Sequence, residues 1–227
     1  DCHMAMDMID EAKKSMVPPF EVSVFADPSG AFTTAAGMVA VTEKALKEKF
    51  NLTLADTKIA ILGGTGPVGI VSAVITANAG ANVYIVGRNA ERTEKVVNLC
   101  KERYKSSNVN VGLDADKESL LLDTDIVFGT AAPGIEIMNK DLVKNSKSLK
   151  ICADTNAVPP SGIFGVDVSD NVVKMKDSAS DCYGIGALAI GNVKYKAQHE
   201  CLKLMCNTDK PVYLNFEHAF EFAQKNA

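Results

Sequence analysis

Apolar positions along the chain change their period several times. In DCHMAMDMIDEAKKSM, Met4, Met8, Ile9, Ala12 and Met16 recur at helical spacing, so the first 16 residues read as a helix with one apolar side. VPPF ends it, because proline cannot continue a helix. EVSVFA (21–26) alternates like a short strand, DPSG supplies a turn, and TTAAGMVAVTEKALKEKF (33–50) reads as a long helix rich in small residues. After the polar connection NLTLADT (51–57) a rhythm sets in. Strand KIAILG (58–63) leads through GTGPVG to helix VSAVITANAG and strand NVYIVG (82–87). Helix AERTEKVVNLCKERYK, strand NVNVGL (108–113), a short helix at KESLLL, and strands DIVFGT (125–130) and KICADT (150–155) follow. Strands alternating with helices imply parallel pairing with helices on both faces, a doubly wound α/β fold. The tail departs from this rhythm: GIGALAIGNVKYKAQHECLKLMC (184–206) is glycine-rich and then helical, and FEHAFEFAQKNA (216–227) is an amphipathic helix. The division expected is 1–50 in a smaller lobe, 51–190 as the doubly wound domain, and 191–227 returning to the smaller lobe.

Composition narrows the classes. A net charge of -4 leaves no basic footprint for nucleic acid. The apolar runs are too short and interrupted to span a bilayer, and no signal peptide is visible. The six cysteines form no CxxC pair and read as reduced thiols of a cytoplasmic protein, mostly small core residues. The chain begins without a methionine inside a helix, which suggests missing upstream sequence.

Gly64, Gly66 and Gly69 fit G-x-G-x-x-G between a strand and a helix, the context in which that motif carries meaning. The first glycine permits a tight turn, the second lets a diphosphate approach the backbone, and the third lets helix and strand pack closely. At the end of the second strand an acid would hold the ribose hydroxyls of NAD. Arg88 stands there instead, with Asn89 and Arg92 behind it, and a guanidinium can pair with a dianion in two places at once. The expectation is NADP; a solvated arginine at the sheet edge is the bland alternative. Acid–base machinery is thin. His3, His199 and His218 all lie in terminal helices, Tyr-x-x-x-Lys is missing, and QHEC (198–201) fails as a zinc helix because position 203 is lysine, so no metal is expected. A reaction that needs no proton transfer suits this: hydride loss from a carbon flanked by nitrogens.

Four blocks then carry a resemblance: ADPSGAFTTAAG (26–37), GGTGPVG with VGRNAER (63–92), ADTNAVPPSGIFGVD (153–167) and GIGALAIGNVKYKAQHECL (184–202). In order and spacing the chain resembles the NADP-dependent methylene-tetrahydromethanopterin dehydrogenase family. The resemblance implies an NADP-binding Rossmann domain and a catalytic lobe built from both chain ends, here lacking its N-terminal portion. It also implies hydride transfer from methylene-tetrahydromethanopterin to NADP, giving the methenyl cation in one-carbon metabolism. Matched to the family, Thr65, Gly66, Pro67 and Val68 belong to the diphosphate turn, Arg88, Asn89 and Arg92 to the 2′-phosphate group, and Thr130, Ala131, Ala132 and Asn156 to the nicotinamide side. Asp27, Ser29, Gly30, Thr33 and Thr34 form a turn facing the pterin, and Lys194 is the catalytic candidate in contact with substrate. A helix cap for Thr33 and Thr34 and a solvated helix face for Lys194 and Lys196 are the structural alternatives. A methylene-tetrahydrofolate dehydrogenase and a non-catalytic NADP sensor remain competing functions. A cytoplasmic homo-oligomer is expected.

Overall fold

The computed structural model describes residues 1–227. Seven strands form one sheet, in the order β4 (Val109–Leu113), β3 (Asn82–Gly87), β2 (Lys58–Leu62), β5 (Ile126–Gly129), β6 (Ile151–Asp154), β8 (Tyr183–Ile185) and β7 (Asn171–Lys174). All neighbours run parallel except β7 and β8. The chain moves outward from β2 to β4, returns beside β2 with β5, and proceeds the other way. The strand order therefore reverses between β2 and β5, and the crevice above that point is where such sheets receive ligands.

The two faces of the sheet can be read from alternation. Ile59, Ile61, Val83, Ile85, Ile126, Phe128 and Ile151 join one cluster of 40 buried residues, whereas Ala60, Leu62, Val86, Val127 and Cys152 join another of 14. Successive strand residues point to opposite faces, so one pleated strand serves both cores. Helices α3 (Pro67–Asn78) and α4 (Ala90–Tyr104) supply Val71, Val74, Val97 and Cys100 to the larger cluster. Helices α5 (Lys117–Leu121) and α6 (Lys140–Asn145) supply Leu121, Leu142 and Val143 to the smaller.

The terminal helices share the larger cluster with the sheet. Helix α2 (Ala31–Phe50) is buried nearly all round from Ala31 to Thr42, as a helix enclosed by others must be, and turns charged and exposed only in its last two turns. It packs against α3, α7 (Ala187–Cys206) and α8 (Phe216–Asn226). On α7 the buried positions Ile190, Val193, Ala197 and Cys201 recur at helical spacing. Gly37 permits the closest approach: a Cβ there would lie 2.8 Å from the Ile190 carbonyl oxygen and 3.0 Å from the Lys194 nitrogen.

Two local expectations are corrected, and strand β7 has no counterpart in the sequence reading. Helix α1 (Cys2–Ser15) forms, but it buries Cys2 and Ile9 and leaves Met4 and Met8 exposed. Its orientation follows from its neighbours, since Arg103 on α4 pairs with Asp7 at 2.7 Å and Tyr104 stacks on His3. The strand expected over residues 21–26 shrinks to β1 (Val24–Phe25), because its parallel partner β9 (Tyr213–Leu214) offers only two residues. Edge strand β7 lacks alternation: Val172 takes φ 58°, the register shifts there, and three of its four residues are exposed. Five of the six cysteines are buried, matching their reading as core residues. Burial pushes the Cys100 thiol up to about 12 and the Cys201 thiol up to about 11, so neither supplies thiolate near neutrality. No helix is long and apolar enough to cross a membrane.

Candidate functional site

The turn from β2 to α3 lies at the strand-order reversal. Gly63 adopts φ 72°, and a Cβ there would fall 2.7 Å from the Ala131 Cα, so the loop after β5 closes directly on this backbone. Gly64 and Gly69 are packing residues: a Cβ on Gly69 would lie 2.5 Å from the Gly64 Cα. Gly66 is different. A Cβ there would meet nothing closer than the Gly63 carbonyl oxygen at 3.9 Å, and no side chain caps the first turn of α3. Free amide donors beside open space fit a diphosphate. Pro67 occupies the first turn of α3 without an N–H to offer, and Val68 packs on the larger core.

Above this turn is a cavity of about 370 Å³ lined by Gly63, Thr65, Gly66, Arg88, Arg92 and the Thr130–Ala132 segment. The sequence expectation thus converges in space from the ends of three strands. Arg88 and Arg92 are exposed, and neither side chain has an ion pair or hydrogen bond to the protein. Two unpartnered guanidinium groups lining one cavity suit a phosphate dianion. Asn89 serves a different purpose: its side chain caps α4 by accepting from the Arg92 N–H at 2.8 Å. The cavity walls also contain Asp114 and Lys117, which sequence reasoning missed. They follow β4 as Arg88 follows β3, so the rule that found Arg88 could have found them.

Asn156 does not line this cavity. Its Oδ1 accepts from the N–H groups of Gly134 (3.2 Å) and Val158 (3.0 Å), and its Nδ2 donates to the Pro160 carbonyl at 2.7 Å. The side chain therefore ties the loop after β6 to the loop after β5. Asp154 reinforces it from below: the fully enclosed carboxylate accepts from the N–H groups of Asn156, Gly162 and Ile163 at 2.7–3.0 Å. Burial raises its carboxyl above the ordinary carboxylate range, while those three donors oppose the shift by favouring the charge.

The residues expected to face the pterin also come together. Asp27 accepts from the Phe32 and Thr33 N–H groups (2.9 and 3.1 Å) and from the Thr33 hydroxyl at 2.7 Å. Thr34 donates its hydroxyl to the Gly30 carbonyl at 2.6 Å. Asp27, Thr33 and Thr34 thus build the start of α2, and Thr33 is fully buried in that role. Ser29 is exposed with φ 54° and ψ 27°, a left-handed conformation uncommon for a residue with a Cβ and often found where a ligand is gripped. Lys194 reaches this turn from α7: a Cβ on Gly30 would lie 2.6 Å from the Lys194 Nζ. No carboxylate pairs with that ammonium. A further hollow of about 430 Å³ between α2 and α7 contains no expected site residue, and its Lys44 and Lys196 donate to the carbonyls of Ala227 and Asn226.

Comparison with known proteins points the same way. The family described as methylene-tetrahydromethanopterin dehydrogenase, N-terminal, matches residues 1–29. The NAD(P)-dependent methylenetetrahydromethanopterin dehydrogenase of Methylorubrum extorquens is 38% identical over 229 residues, which cover 98% of this chain and 75% of that protein. The bifunctional protein MdtA of the same organism is 32% identical over 225 residues, covering 97% and 74%. Among solved structures, quinate dehydrogenase from Corynebacterium glutamicum in complex with NAD aligns with a TM-score of 0.55 at 12% identity, over 84% of this chain and 61% of that one, a likeness of fold alone. Identity of this extent over nearly the whole chain, on a sheet with this strand order and an open glycine turn at its reversal point, places the protein in the methylenetetrahydromethanopterin dehydrogenase family.

Proposed function

We propose that the protein is an NADP-dependent dehydrogenase acting on the methylene carbon of methylene-tetrahydromethanopterin. The observation that carries the cofactor part is the pair of unpartnered guanidinium groups, Arg88 and Arg92, above a glycine turn with free amide donors. The substrate part rests on the family. NADP, when bound, supplies the hydride acceptor. The α3 amino end holds the diphosphate, Arg88 and Arg92 hold the 2′-phosphate, and the Thr130–Ala132 backbone borders the nicotinamide. Asn156 and Asp154 position the loops on that side rather than touching the cofactor.

On the substrate side, the 27–34 turn offers Ser29 and the Lys194 ammonium, which binds a carbonyl or carboxylate of the pterin. Loss of hydride leaves a cation shared by the two nitrogens flanking the carbon, so no side chain has to take a proton. The chain's task is orientation, holding donor and acceptor carbons in a near-attack pose. In this reading residues 51–190 bind NADP, while 1–50 and 191–227 contribute to the pterin lobe. Six free thiols support a cytoplasmic setting, and the exposed Leu188, Tyr195 and Leu202 on one side of α7 support a homo-oligomer.

Nicotinamide absorbance during turnover tests the whole reading, with the methylene derivatives of tetrahydromethanopterin and tetrahydrofolate offered in parallel. Reduction of NADP by the first is expected. Turnover with the folate alone reassigns the substrate, and tight NADP binding without turnover makes the protein a sensor. Arg88→Ala should raise the Michaelis constant for NADP about tenfold or more, the loss of one charge-assisted contact, with that for NAD nearly unchanged.

A further inference from the structure

The parallel register of β3 and β4 has a consequence for Arg88. Gly87 is paired with Leu113, so the next residues, Arg88 and Asp114, leave adjacent strands side by side. Strands in a sheet lie about 4.8 Å apart, close enough for a flexible guanidinium to reach a neighbouring carboxylate. Both residues line the same cavity. An Arg88–Asp114 pair would occupy the guanidinium and set a negative charge where a 2′-phosphate must sit. That pair does not form. The Asp114 carboxylate is engaged instead by the Lys117 ammonium, 2.9 Å from its Oδ1, and the lysine side chain is mostly enclosed (23% exposed). Lys117 lies three residues further on, with a short 3-10 turn (Asp114–Asp116) between that folds the lysine back over the acid.

We infer that Lys117 is a specificity-determining positioning residue: by holding Asp114 it keeps Arg88 free for the 2′-phosphate of NADP. This rests on the cofactor reading above and adds a cause for it. The cavity combines cations for a phosphate with a carboxylate of the kind that suits a ribose hydroxyl, and Lys117 decides which of them faces the adenosine. With Asp114 tied, Arg88 dominates and NADP is preferred. With Asp114 released, it captures Arg88, repels the 2′-phosphate and leaves a site indifferent to that group or biased toward NAD.

The test is calorimetric titration of NADP and of NAD into the full chain and four variants. Lys117→Met should weaken NADP binding about tenfold or more and leave NAD within about twofold. The double variant Lys117→Met with Asp114→Asn should restore the preference for NADP, because no carboxylate remains to take the arginine. Asp114→Asn alone should bind NADP at least as tightly as the parent chain. A loss in Lys117→Met that the double variant fails to restore overturns the inference, as does no loss at all. Arg88→Ala separates the two levels. If it too leaves the preference intact, the cofactor assignment fails; if it abolishes the preference while Lys117→Met does not, only the role of Lys117 falls.

Discussion

Two stretches along the carboxyl ends of the sheet strands contrast sharply. Above β2 and β3, several polar groups face outward without partners: the first amides of α3 and the side chains of Arg88 and Arg92. Above β6, nearly every polar group is satisfied from within, Asp154 by three backbone N–H groups and Asn156 by Gly134, Val158 and Pro160. Unmatched donors at the first end are tolerable because water reaches them, and they are what an anion can use. Enclosed groups at the second end cannot be left unmatched without cost, so they build the frame. Polar residues at the carboxyl ends of the strands therefore divide into those that bind and those that hold, and the division follows from hydrogen-bond accounting.

That contrast can be broken by mutation. The largest effect expected is from Asp154→Ala, which strands three enclosed N–H groups and should cost about 3 kcal/mol or more of stability, measured by denaturant unfolding. Asn156→Ala should cost about 2 kcal/mol by freeing the two loops, with the affinities for NADP and for NAD each within about twofold of the parent chain; an equal and larger loss for both would make it a ligand on the nicotinamide side. Asn89→Ala removes only a helix cap and should cost about 1 kcal/mol. Arg88→Ala, at the open end, should shift stability by no more than about 0.5 kcal/mol despite its effect on NADP.

The smallest effect concerns pH. Asp154 titrates above the ordinary carboxylate range in the folded chain because of its burial. A raised folded value means that the folded state holds the proton more tightly than the unfolded chain, whose value is about 3.9. The contribution is full below that value and is lost as pH rises through the folded value. Relative to Asp154→Asn, the parent chain should lose stability across that window. A gain there would mean that the three amide donors, rather than desolvation, govern the carboxyl.

Much of this was legible in the sequence because each feature left a local trace. Short apolar runs between helical segments marked β2, β3, β5 and β6, and glycine spacing marked the turn. The position of Arg88 after a strand marked its side of the cavity. What stayed hidden depends on distant partners. Nothing local in NVVK (171–174) announces an exposed antiparallel edge with a left-handed valine. The buried side of α1 is chosen by Arg103 and Tyr104, far along the chain. Asn156 stands after a strand, the place that suggested a cofactor residue, and its bonds to three backbone groups, which tie two loops together, left no local trace. Convergence of Lys194 on Gly30 was implied by family likeness; no spacing rule connects residues so far apart.

The bare crossing at Gly37 has an effect away from its own neighbourhood. There α2 and α7 meet main chain to main chain, so the gap between their axes is fixed by backbone dimensions and leaves no side chain to adjust. Seven residues back along α2 is the Gly30 turn over which the Lys194 amine is poised. The crossing thereby sets how far the Lys194 backbone stands from α2, and with it the reach of that amine toward Gly30.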